Sequence, residues 1–216
     1  MNGRLLPALI AAATGFLLGL MLARLLRVTG KMKIFLACAL LAAEYASIFL
    51  VFGEDLAEVP VLGLAAGTAG AALKQSKGES AWEFSAFAMV WWLLTILLTG
   101  DTWSAWGKQL ASGAIGGAVL LAIVFLLRFA AGRYEKKLGR KEPFLTKSDC
   151  ILFSLPGFYF GVAVGLFGLL LEFLIAFAAG NIRLKSRIPS GLAAAAACWV
   201  CALVGERFMV WYVGFF

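Results

Sequence analysis

The chain is broken into uncharged apolar blocks of about 15 to 22 residues, each the length of an α-helix that crosses a hydrocarbon core of roughly 30 Å. A backbone inside a bilayer must satisfy its own hydrogen bonds, so blocks of this kind are restricted to helices. Composition agrees. Of 216 residues, 62% are hydrophobic and only 14% charged, with mean hydropathy +0.93, whereas a soluble domain is about half apolar and a quarter charged. The expected fold is an all-α polytopic transmembrane bundle forming one integral membrane domain over residues 1–216.

Eight spans follow, near 5–26, 33–53, 58–73, 84–100, 110–130, 150–163, 165–180 and 188–205, with seven as the alternative. The first block is not a cleaved leader, because Arg24, Arg27, Lys31 and Lys33 come after it and no small-residue cleavage site closes it. Basic residues concentrate in 24–33, in 128–149 and at Arg183, Lys185 and Arg187, while the 53–58 loop carries only Glu54, Asp55 and Glu58. Lys and Arg favour cytoplasmic loops, so the N-terminus is expected outside and every basic loop inside. That arrangement requires 150–180 to form a tight hairpin, and Pro156 with glycines 157, 161, 165 and 168 permits a break there. The net charge of +7 thus points to the bilayer and not to nucleic acid.

There is no histidine, which removes His-metal sites and Ser-His or Cys-His catalysis. The four cysteines lie in or beside apolar blocks. Cys198 and Cys201 have CxxC spacing without a second pair, and packing thiols are the expected role. No metal or cofactor is implied. Gly15/Gly19 and Gly113/Gly117 have the spacing of close helix packing. The seven tryptophans suit an interfacial belt, apart from Trp91-Trp92, which lies mid-span and suits packing.

Three carboxylates stand out. Glu44 and Glu172 lie within apolar blocks, where an ionisable group pairs with a neighbouring helix, faces a cavity, or marks a proton or substrate path. Asp149 sits where the longest basic loop meets apolar sequence, with Gly157 and Gly161 eight and twelve residues later.

The segment Ser148-Asp149 to Gly161 resembles the second aspartate motif of type IV prepilin peptidases, which are GxGD-type intramembrane aspartic proteases. Other pieces follow in the same order along the chain. Ile188-Pro189-Ser190-Gly191-Leu192-Ala193 stands where that family begins a helix with an IPFGP-type motif. The first span with Gly15 and Gly19, Glu44 in the second, and Gly113 to Gly117 also match. Thr146 and Ser148 replace the two GxGD glycines, and the zinc-binding cytoplasmic insert of larger members has no counterpart.

The resemblance implies a bacterial plasma-membrane endopeptidase that cuts the basic leader of a pilin-like precursor at the cytoplasmic face. Such a protease activates water with two adjacent carboxyls, one ionised and one protonated. The first of these belongs in 74–83, which contains no aspartate, so Glu79 or Glu83 is the expected partner of Asp149. Topology places Asp55 and Asp101 on the other side. Two alternatives are a non-catalytic relative that binds pilin-like helices or an assembly complex, and a small proton- or cation-coupled transporter built on Glu44 and Glu172.

Overall fold

A computed structural model describes residues 5–52, 59–99, 102–137, 143–181 and 190–213. The 53–58 loop with Asp55, Asp101, the basic residues 183–187 and the pair Ile188-Pro189 lie outside the described residues. Seven helices are present among those described: α1 (Leu5–Leu25), α2 (Lys31–Phe52), α3 (Val59–Gln75), α4 (Trp82–Thr99), α5 (Trp103–Lys137), α6 (Lys147–Asn181) and α7 (Ser190–Val213). The described residues contain no strand. By length and composition α1, α2 and α5 are apolar enough to cross a membrane, α6 reaches that length only over the two arms of a kinked helix, and α4 and α7 contain shorter apolar stretches. Large side chains such as Leu6, Leu9, Met21 and Phe35 face outward, as in a bundle whose surroundings are lipid.

Most element ends fall within two residues of the expected spans. Two departures matter. Helix α5 continues to Lys137, so Arg128, Arg133, Lys136 and Lys137 are helical and not part of a loop. Helix α3 continues to Gln75, one half-turn past the expected end of its span, which sets Gln75 at the terminus of a rigid element.

Helix α6 is not one rod. Gly161 has φ 75° and ψ −174°, a conformation essentially confined to glycine, and the chain folds back there. A Cβ built on Gly165 would lie 2.8 Å from the Gly157 Cα, and one on Gly168 would lie 2.9 Å from the Pro156 Cβ. In an unbroken helix residues 157 and 165 would be about 12 Å apart. Further down, the Phe153 and Phe173 rings pack across the two arms, tilted by 50° with centroids 5.2 Å apart. The break expected near the middle of 150–180 is therefore present, at Gly161.

Small residues let the backbones approach. Cβ atoms at Gly113, Gly116 and Gly117 would collide with Phe158 and Gly157, so α5 lies directly against the tip of the α6 hairpin. Gly15 and Gly19 bring α1 against Leu41 and Cys38 of α2 in the same way. Both GxxxG pairs are thus packing surfaces. Alanine-rich α7 runs through the interior, with Ala193, Ala194, Ala197, Cys198 and Cys201 buried. It touches α2, α3 and α6.

Isolated polar groups tie neighbouring helices together where apolar contact alone gives little specificity. Tyr45 donates to the Leu62 carbonyl (3.1 Å), Trp91 Nε1 to that of Val59 (2.9 Å) and Tyr159 to that of Ala88 (2.6 Å). Trp199 Nε1 reaches Ser47 Oγ at 2.9 Å. Trp92, buried against the edge of Phe158, is a packing residue as its mid-span position implied.

Candidate functional site

The residues Thr146-Lys147-Ser148-Asp149 open α6 with a capping box, in which a hydroxyl residue and an acidic residue three positions later satisfy each other's free amides. The Thr146 backbone N–H and Oγ1 both donate to Asp149 Oδ2 at 2.7 Å, and the Asp149 N–H returns a bond to Thr146 Oγ1 at 3.3 Å. The segment leading into this turn is held on the α5 extension. Arg128 Nε donates to the Leu145 carbonyl at 3.1 Å, and the Phe144 N–H donates to Glu135.

The other carboxylate oxygen meets two different helices. Asp149 Oδ1 accepts from Ser190 Oγ at 2.5 Å and from Gln75 Nε2 at 3.0 Å. Gln75 Nε2 also donates to Ser190 Oγ at 2.7 Å, while Gln75 Oε1 accepts the Gly191 N–H at 2.7 Å. One carboxamide thus bridges a buried carboxylate and a free amide in the first turn of α7. Three helix ends, the C-terminus of α3 and the N-termini of α6 and α7, converge on Asp149, which has no exposed surface. Thr146, Gln75 and Ser190 each present a hydrogen to the carboxyl. The carboxyl serves there as an acceptor.

Among the residues singled out from sequence, Glu79 and Glu83 are engaged elsewhere. Glu79 forms an ion pair with Lys77 at 2.7 Å and Glu83 with Lys74 at 2.6 Å, with side-chain exposure of 47% in both. Glu83 lies ahead of the apolar run 84–99, and the hydrogen bond from Lys74 holds its carboxyl below the usual range. That is the opposite of what the proton-bearing member of a dyad needs. The group the structure brings to Asp149 from this part of the chain is the Gln75 amide. Gln75 carries no charge, so nothing in the sequence marks it as a partner for a carboxyl. The available signal was the capping-box spacing of Thr146 and Asp149, which announces a helix start needing an acceptor.

Glu44 and Glu172 lie deeper. Glu172 is fully buried with neither carboxyl oxygen hydrogen-bonded, and Glu44 is 3% exposed with Oε2 unbonded. All four cysteines are free and buried. Among the described residues no group of three or more His, Cys, Asp and Glu side chains is arranged to hold a metal ion.

No family model matches the chain, and neither does any curated protein or solved structure.

Proposed function

We propose that this protein is a prepilin-peptidase-like membrane protein in which the protease's acid pair is replaced by a carboxylate–carboxamide latch. It binds the apolar helix of a pilin-like precursor without cutting its leader. The observation that carries this is Gln75 on Asp149. An amide neither accepts nor releases a proton near neutral pH, so the pair cannot divide into the base and acid that activate water. A peptidase built from Asp149 and Glu79 or Glu83 would require one of those glutamates to leave its lysine.

What supports the family-level part is convergence. Three segments that are far apart in the chain and figure in the resemblance, the end of the third span, the Asp149 motif and the start of the last helix, meet in one hydrogen-bonded cluster. Gly157 and Gly161 have defined roles as well, in the contact with α5 and in the hairpin turn. In the accompanying topology the N-terminus is outside and the latch faces the cytoplasm. Residues 147–160 rise about 21 Å at 1.5 Å per residue, so the α6 hairpin enters from the cytoplasmic side and returns to it without fully crossing.

Co-expression with a type IV prepilin tests the proposal. The wild-type chain is expected to leave the leader intact and to co-purify with the prepilin. Gln75→Asp supplies the missing carboxyl, and leader cleavage is expected in this variant. Cleavage by the wild-type chain that is lost in Asp149→Asn overturns the proposal, and so does failure of the wild-type chain to retain the prepilin.

A further inference from the structure

Glu44 on α2 and Glu172 on the returning arm of α6 approach α7 from different sides. Glu44 and Cys198 line the same cavity, and a Cβ built on Gly168, one turn before Glu172, would lie 2.9 Å from Cys201 Sγ. Cys198 is eight residues into α7, about 12 Å from the plane of Ser190 and Asp149. Both carboxyls are buried, and both lie beside the stretch of α7 around Cys198 and Cys201, away from the latch.

Their surroundings narrow what can neutralise them. Beside Glu44 is a cavity of about 10 Å³, at the lower limit for a single water molecule, between α2, α3 and α7. Its other walls are apolar or thiol-bearing, including Ile48, Leu64, Ala195, Cys198 and Trp199. The titratable groups facing the pair are Tyr45 on α2 and Cys198 and Cys201 on α7, together with the two glutamates themselves. The wall from α3 (Val61, Leu64, Ala65) adds none. Among the described residues no Lys or Arg is the counter-ion of either carboxyl.

A dehydrated metal cation takes six or more oxygens when it is Ca²⁺, and hard cations generally need an oxygen-rich shell. This cavity offers one carboxyl. A bare carboxylate in such a place is strongly unfavourable. The remaining occupant is the smallest cation.

We infer that Glu44 and Glu172 are two proton-binding sites in the apolar interior, each holding its proton at rest, with the cavity beside Glu44 as the point of exchange for that residue. Both are separate from the latch and do not depend on whether the chain binds pilin-like helices. Binding is a simple association of H⁺ with a carboxylate oxygen, with no other bond made or broken.

Infrared spectroscopy of the full chain in lipid vesicles, in H₂O and D₂O at neutral pH, reads this directly. Two carboxylic-acid C=O bands are expected, each shifting down in D₂O, with Glu44→Gln removing one and Glu172→Gln the other. Both bands should fade as pH is raised. A membrane-permeant carbodiimide, which reacts with protonated carboxyls, gives a second measurement on the wild-type chain. Peptide mapping should find Glu44 modified ahead of Glu172, with exposed Glu79 and Glu83 spared and the yield falling with rising pH. Absence of both acid bands at neutral pH overturns the inference. So does their loss on adding sodium or calcium salts at fixed pH, or carbodiimide reaction at Glu79 and Glu83 in preference to Glu44.

Discussion

Asp149 and Glu172 carry the same functional group, and neither has any exposed surface, yet the protein surrounds them in opposite ways. Asp149 sits where three helix ends meet and receives a backbone N–H, two hydroxyls and an amide. Glu172 sits midway along the inside of the bundle and receives nothing. The difference follows from helix geometry. Helix termini leave amides without intrahelical partners, so a carboxylate there is matched by donors that themselves need an acceptor. A mid-helix carboxyl meets only backbone that is already paired. One site is held as an acceptor, and the other is left to take a proton.

Mutation should separate the two most sharply at Asp149. In Asp149→Ala the donors of Thr146, Gln75 and Ser190 lose their common acceptor inside the protein. Each buried donor left without an acceptor costs about 1–3 kcal/mol, and several are lost at once, so thermal unfolding in detergent should show a large drop or failure to fold. Thr146→Ala removes only the hydroxyl half of the cap and should cost about 1 kcal/mol, read in the same assay. Glu172→Leu should cost nothing or raise the unfolding temperature slightly, since an unpaired buried carboxyl is exchanged for an apolar group of similar size. If Glu172→Leu destabilises as much as Asp149→Ala, the contrast is wrong and Glu172 has a partner. If Thr146→Ala matches Asp149→Ala, the capping hydroxyl is the main support of the site, ahead of Gln75 and Ser190.

Much of the bundle was legible in the sequence because membrane spans are set by length and hydropathy, which act locally. The fold-back at Gly161 was legible for the same reason, as Pro156 and four glycines cluster there. The site was legible only in part. Asp149 declared itself through its position at a polar–apolar boundary, and Glu44 and Glu172 through their place in apolar runs. Gln75 did not, because an amide at the end of a helix next to Lys74 and Lys77 resembles any solvated polar residue. Its role depends on contacts with residues 74 and 116 positions away, and nothing in the local pattern encodes them. Likewise the placement of Glu44 and Glu172 beside α7 depends on how α2, α6 and α7 pack, not on any one of them.

The bond from Gly191 to Gln75 has a consequence for the order of assembly. The Asp149 cradle draws on Gln75 from the first half of the chain and on Ser190 and Gly191 from its last helix. During synthesis from the N-terminus, Asp149 emerges some forty residues before Ser190, whose hydroxyl donates to its Oδ1 in the finished fold. The cluster can close only after α7 has entered. A chain truncated before Ser190 would keep six of the seven described helices and leave Gln75 Oε1 and Asp149 Oδ1 without their α7 partners.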